Sequence, residues 1–214
     1  WFGSNNTYIK ANQIRFGESG AAYIDQYTTG QDINFRTSNS SALDTTGMTL
    51  KSNGNLAFAD NNGIEFHNYG SGTNISNNLL DDYEEGSWTP AFSRPNMTIT
   101  NANQVGRYVK IGRVVHIIGS LNTTSESGST TGGPILVTGL PFTVREARTA
   151  LSVRPAVWSH DHPSFATFEL NQTHFELLEE VEGNPSGSTD LTGGRFAGGT
   201  GNYLWFGGSY FTDT

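Results

Sequence analysis

The first 80 residues carry their apolar side chains as short pairs spaced two positions apart. Residues two apart point to the same face of a β-strand, and Gly- or Asn-containing turns adjoin most of these pairs. The pairs are Ile14/Phe16, Ile33/Phe35, Leu56/Phe58 and Ile64/Phe66. One face of this kind buries too little surface to offset a backbone ordering cost of about 1–2 kcal/mol per residue.

Such a segment becomes ordered only if additional surface covers its apolar pairs. Disorder is disfavoured, because disordered segments are poor in residues such as Phe and Ile. Identical chains wrapped around a common axis would place every pair inside, and an open β-sheet in a single chain is the alternative. The pattern therefore predicts a fibrous, intertwined β shaft over residues 1–80.

Longer apolar runs begin after residue 80. Residues 106–111 and 114–121 flank Gly112-Arg113, and a two-residue connection with Gly first is typical of a type II′ hairpin turn. Both faces of the second strand are largely apolar, which predicts a central strand. Further predicted strands are residues 88–92, 97–100, 135–138, 150–157, 165–170, 174–179 and 203–211. Their spacing of about ten residues predicts an all-β chain with an antiparallel, jelly-roll-like β-sandwich head over residues 81–214.

Charge and composition narrow the classes of partner. Lys and Arg total 12 against 20 Asp and Glu, for a net charge of −8. Proteins that bind nucleic acid present a basic face, so nucleic acid is not expected as a partner. The chain has no Cys, which excludes disulfides and thiolate chemistry. No apolar run approaches about 18 residues, so membrane insertion is not expected.

Aromatic side chains in loop-like segments are the candidates for receptor contact. A sugar ring lays its apolar C–H face on Trp or Tyr rings, while neighbouring polar side chains bind its hydroxyls. Two segments qualify: the run that ends before Pro163, and the Gly-rich residues 193–202 with the strand after them. The candidate receptor-binding residues are Trp158, His160, His162, Arg195, Tyr203 and Trp205.

His160 and His162 are also the candidate metal ligands. Positions two apart in a strand point the same way, so three chains could offer six imidazole nitrogens to one ion. The flanking Ser159 and Pro163 favour a polar surface loop instead. No other cofactor is expected.

An acidic cluster, Asp81, Asp82, Glu84 and Glu85, lies where the chain changes character. It lacks the ligand spacing of an EF-hand calcium loop, and neighbours in one segment rarely face each other across a sugar as hydrolytic carboxylates do. The favoured interpretation is a solvated junction whose charges meet Lys or Arg of a neighbouring chain. Nucleophile-elbow, zinc-protease and phosphate-loop motifs are missing, so no enzymatic activity is expected.

Three segments together resemble tail-fibre proteins of tailed bacteriophages, especially marine phages. They are residues 80–90 (LDDYEEGSWTP), residues 106–115 (GRYVKIGRVV) and residues 139–143 (GLPFT). The resemblance covers residues 80–145 well, the last dozen residues moderately and residues 146–200 poorly. Receptor specificity is expected in the poorly matched part, because loops on a rigid scaffold vary freely.

The resemblance implies a homotrimer in a virion tail fibre or spike, assembled in the bacterial cytoplasm and acting outside the cell. Because the chain starts at Trp1 and shows no signal peptide, we expect it to follow a longer N-terminal part that joins other tail proteins. The implied function is adhesion to a host cell-surface polysaccharide or lipopolysaccharide. The alternatives are a purely structural fibre segment or virion connector and, third, a glycan-depolymerising tailspike, for which this chain is short.

Overall fold

The computed structural model describes residues 20–21, 23–37, 45–59, 62–65, 79–80, 82–128, 133–158, 162–180, 188–191 and 201–213. Every regular element among them is a β-strand, and every strand pairing is antiparallel. The chain divides into two compact units, Trp1–Asn62 and Gly63–Thr214. The predicted all-β class is confirmed, and the boundary between shaft and head after residue 80 stays a prediction.

The first unit contains a three-stranded sheet in the order β1 (Ile33–Thr37), β2 (Thr45–Leu50) and β3 (Leu56–Phe58). The predicted apolar pairs at Ile33 and Leu56 therefore lie on strands. Phe35, Leu56 and Phe58 are exposed in the single chain, as expected of strands that offer one thin apolar face. Ile14, Phe16 and Phe66 lie outside the described residues.

The second unit is built on one large curled sheet. Two short strands of this unit, β4 (Ile64–Glu65) and β5 (Leu79–Leu80), pair only with each other. The strands of the large sheet are, in chain order, β6 (Tyr83–Trp88), β7 (Ala91–Ser93), β8 (Met97–Ile111), β9 (Val114–Gly128), β10 (Leu136–Thr138), β11 (Ala150–Ala156), β12 (Phe165–Phe168), β13 (His174–Glu180), β14 (Ser188–Asp190) and β15 (Gly201–Phe211). The order across the large sheet is β6-β8-β9-β15-β11-β12-β13-β10-β7, and β14 pairs with β13.

The sheet folds back on itself at β11, which gives a β-sandwich-like arrangement. The first two residues of β11 pair with β12, whereas Ser152–Ala156 pair with β15. The halves on either side of this strand bring their inner faces together. Phe206 of β15 lies 5.2 Å from Phe175 of β13, and Tyr210 lies 4.8 Å from Phe168 of β12, between ring centroids. Fully buried side chains of both halves therefore form one core.

The predicted hairpin is confirmed and is longer than expected. β8 and β9 pair from Ile111 and Val114 at the turn to Met97 and Gly128 at the far end. Gly112 has φ +55°, whereas Arg113 has negative φ; a positive φ at the first turn residue alone is the type II′ pattern. β9 lies between β8 and β15, as predicted for a central strand.

Irregular positions in β8 bring the two ends of the curled sheet together. The register shifts at residues 100–101 and again between residues 102 and 105. The Asn101 amide accepts a hydrogen bond from the Phe92 N–H (2.7 Å) and donates one to the Phe92 carbonyl (3.2 Å). Gln104 donates to the Pro90 carbonyl (2.8 Å). Side chains of β8 thus join β7, the last strand in the sheet order, to the first half.

A strand was predicted over residues 88–92, and the structure corrects this to two strands in opposite halves of the sheet. β6 ends at Trp88, which is buried against Phe206 at 5.7 Å. Pro90 follows, and Pro cannot donate to a strand ladder. The chain therefore crosses over and resumes as β7, which pairs with β10.

Gly119 is expected to be the glycine least tolerant of a side chain on the inner face. A Cβ there would lie 2.4 Å from Phe206 Cζ and 2.7 Å from the Val105 carbonyl oxygen. Gly119→Ala should lower the free energy of unfolding by about 1–3 kcal/mol through overpacking. Gly207→Ala is the matched control, because its Cβ would meet nothing closer than 3.5 Å. Urea unfolding of both variants tests this, and equal stabilities would contradict the packing described.

Tyr210 should make stability depend on alkaline pH. Burial raises the pKa of its hydroxyl above 10, and this hydroxyl donates to the Phe142 carbonyl (3.1 Å). Folded Tyr210 holds its proton more tightly than unfolded Tyr, so its stabilisation is complete below pH 10 and is lost as pH rises above 10.

Replacing Tyr210 by Phe should cost about 1 kcal/mol at pH 8, and the difference from the natural chain should shrink by pH 11. Urea unfolding at both pH values measures this difference, with Tyr27→Phe as the control at a fully exposed tyrosine. A difference that stays constant between pH 8 and pH 11 would show that the buried hydroxyl does not couple to stability.

Candidate functional site

The outer face of β6, β8, β9, β15 and β11 presents large apolar side chains to solvent. Alternation along β15 is strict at its centre: Leu204 and Phe206 point into the core, whereas Trp205 points outward. Seven apolar side chains on this face are between 40% and 64% exposed: Tyr83, Val105, Ile111, Val114, Ile118, Trp205 and Phe211. Val114 and Ile118 lie on the central strand β9, and both are exposed in the single chain.

The outer face has two ends, which the strand register identifies. Near the hairpin turn, Tyr83 pairs with Ile111, Ile111 with Val114, and Val114 with Phe211. We refer to these four side chains as the turn-end row. Trp205 lies six positions before Phe211 on the same strand, which is about 20 Å at 3.3 Å per residue. The two ends are therefore separate surfaces.

At the second end, Tyr203, Trp205 and Arg154 form what we call the aromatic platform. The two rings are nearly parallel, with centroids 5.9 Å apart and an interplanar angle of 16°. Arg154 is the cross-strand partner of Trp205 on β11, and its guanidinium carbon lies 5.0 Å from the Trp205 ring centroid. This distance is that of a cation–π contact. The platform thus combines flat apolar rings with planar hydrogen-bond donors.

A shallow groove of about 350 Å³ adjoins the platform. Its lining includes Val105, Arg107, Ile118, Ser120 and Trp205. Arg107 lines this groove, and its guanidinium donates to the Gly106 carbonyl at 3.4 Å. Apolar walls with a few polar groups are typical of sites for small polar ligands, and aromatic faces with arginine donors suit a sugar ring and its hydroxyls.

Trp158 was predicted to be an exposed aromatic, and the structure corrects this. Its indole N–H donates to the Tyr203 carbonyl (2.9 Å), and its ring meets the edge of Phe92 at 6.1 Å. Val157, with φ +60°, directly follows β11, and its carbonyl accepts from the Asn202 N–H (3.1 Å). The chain therefore turns inward, and Trp158 packs half-buried against the core, behind the platform.

The other predicted site residues are only partly described. His162 is exposed, and its Nδ1 lies 3.4 Å from the Pro163 carbonyl. His160 and Arg195 lie outside the described residues, so the proposed His160/His162 metal pair stays a prediction. Among the described residues, no group of three or more His, Asp or Glu is placed to hold a metal ion.

Glu84 and Glu85 of the acidic cluster lie on β6, and Asp82 directly precedes this strand. Lys110, buried on β8, binds Asp82. Tyr108 donates to Glu84, and Tyr83 donates to Glu85 at 3.1 Å. These hydrogen bonds raise the pKa of both tyrosines. Asp82 therefore meets a cation of its own chain. Whether the cluster also meets cations of a neighbouring chain stays a prediction, and Asp81 lies outside the described residues.

Sequence reasoning found Tyr203 and Trp205 but missed Arg154, Arg107 and the turn-end row. Arg154 reaches Trp205 only through the β11–β15 pairing, which joins segments separated by a long stretch of chain. The two largely apolar faces of the second hairpin strand predicted only that this strand is central, and the exposure of Val114 and Ile118 was not predicted. The sequence feature that could have indicated the turn-end row is an apolar outward face on a strand, because such a face needs a second surface that one chain does not provide.

The chain matched no known protein family, no curated protein and no solved structure in comparisons with each. No helix in the described part of the chain is long and apolar enough to cross a membrane. The candidate site consists of two arginines, Arg107 and Arg154, and a nearly parallel Tyr–Trp pair on the exposed face of the sheet.

Proposed function

We propose that this chain is the C-terminal part of a tail fibre or spike of a tailed bacteriophage and acts as an adhesin. In this proposal three identical chains form an intertwined β shaft and jelly-roll-like heads, in the virion, with the preceding part of the chain joined to other tail proteins. The head binds a host cell-surface polysaccharide or lipopolysaccharide. The observation that carries the proposal is the aromatic platform of Tyr203, Trp205 and Arg154.

The platform supports glycan binding because its rings and donors are complementary to a sugar. The Trp205 ring is 40% exposed on a strand held from both sides by β9 and β11. A rigid ring loses little conformational entropy when a ligand settles on it. Arg154 and Arg107 supply planar donors that can bind two oxygens at once.

Local charge favours anionic or hydroxyl-rich ligands at this end of the face. The whole chain carries a net charge of −8, which opposes general attraction to an anionic cell surface. The two arginines nevertheless place positive charge at the platform and its groove. Binding through this site would therefore be selective for a ligand that reaches the groove.

A shallow site of this size is expected to bind one glycan segment weakly. Three copies in a fibre and several fibres on a virion would make attachment multivalent. Linking even two sites raises the overall avidity by roughly 10²–10⁴ when both are engaged. Weak single sites are thus compatible with firm adhesion.

Replacing Trp205 by Ala should weaken glycan binding at least about tenfold, as loss of a central aromatic contact usually does. The test probes a panel of immobilised bacterial polysaccharides and lipopolysaccharides with the full chain and reads saturable binding. Leu170→Ala is the matched control, since Leu170 is also 40% exposed but lies in a turn after β12. Trp205→Phe should retain part of the binding, because it keeps a ring.

If the natural chain binds a glycan and Trp205→Ala binds it equally well, the aromatic platform is not the binding site. No saturable binding to any member of the panel would favour the structural alternative, a fibre segment or virion connector. Release of reducing sugar ends during the assay would favour the depolymerising spike.

A further inference from the structure

The turn-end row presents four adjoining apolar side chains on four adjacent strands. Tyr83, Ile111, Val114 and Phe211 come from β6, β8, β9 and β15, and they are 64%, 52%, 41% and 40% exposed. None of the four is charged. An exposed, uninterrupted apolar row of this kind is unusual on a protein surface unless another surface covers it.

We propose that a second copy of this chain packs on the turn-end row. This inference deepens the proposed function, because it rests on the same homotrimer and assigns part of its interface to the head. It does not depend on glycan binding, since the aromatic platform lies about 20 Å away along β15.

The area of the row fits an interface between copies. Because an aromatic side chain offers about 150–250 Å² in total, the four partly exposed side chains present roughly 400 Å² of apolar surface. Two copies contributing one row each would bury roughly 800 Å² of apolar area. Since interfaces are about 60% apolar, the whole contact would be roughly 1,300 Å², within the range of about 1,200–2,000 Å² for stable complexes.

The rest of the chain favours a copy over an unrelated partner. The first unit also exposes apolar strand residues in the single chain, among them Phe35 and Leu56. Leu80, just before β6, is exposed as well. An identical chain is one partner that can cover the exposed apolar surfaces of both units, because each copy carries both surfaces. A different partner would have to match two unrelated surfaces.

The polar surroundings are consistent with a bounded interface. Three of the four next outward positions beside the row are polar, namely Glu85, His116 and Ser209, and the fourth is Val109. The His116 Nδ1 lies 3.0 Å from the Ser209 hydroxyl. At the Phe211 end, Arg113 is paired with Glu146 at 2.5 Å. A central apolar strip with a polar border is the usual anatomy of a protein–protein interface.

Because the chain has no Cys, one introduced cysteine reports on proximity between copies. The full chain carrying Val114→Cys is labelled with pyrene maleimide, and Leu170→Cys serves as the equally exposed control away from the face. We expect excimer emission from the label at position 114 and monomer emission alone at position 170. Dilution with unlabelled natural chain should reduce the excimer signal as mixed oligomers form.

A second measurement covers the case in which the label disturbs packing. Unlabelled Val114→Cys treated with a short bismaleimide should migrate as linked chains on a denaturing gel, whereas Leu170→Cys should stay single. Monomer emission and single chains at position 114 would overturn the proposal, as would equal signals at both positions, which indicate unspecific association. If the glycan panel is negative while position 114 gives excimers, the adhesin proposal fails and the interface stands.

Discussion

The burial of one face of the β8–β9–β15 layer determines most of this structure. Val115, Ile117 and Leu121 of β9 and Leu204 and Phe206 of β15 are almost fully buried. Because side chains alternate along a strand, burying this set fixes every neighbour on the outer face. That outer face receives Val114, Ile118, Trp205 and Phe211, which are also apolar. The core and the exposed apolar surface are therefore two consequences of the same register.

The two ends of the outer face differ in chemistry, and this difference separates two proposed roles. The turn-end row is uncharged and continuous across four strands, which suits a large flat partner. The platform end interleaves rings with Arg154 and Arg107 beside a groove, which suits a small polar ligand. Both ends lie on the outer face of the same sheet, whose inner face packs into one core. Loops are not required to position either surface.

Local sequence patterns predicted the strands well, whereas the pairings between distant segments were not predicted. The Gly112-Arg113 turn and the apolar runs beside it were sufficient for the central hairpin. The break at Pro90 and the inward turn after Val157 depend on partners far away in sequence, Phe206 for Trp88 and Tyr203 for Trp158. For the same reason Trp205 was predicted as a site residue from its residue type, whereas its cross-strand neighbour Arg154 was not predicted. The contact between Arg154 and Trp205 depends on the register between β11 and β15, which the sequence of one strand does not encode.

One chain leaves apolar side chains of both units exposed, and we propose that identical chains cover them. The solution mass of the full chain, measured by light scattering after size exclusion without denaturant, tests this proposal. We expect a mass near three times 23.2 kDa that persists on dilution. A stable mass of a single chain would contradict it, because the apolar surfaces of both units would then remain in water without a partner.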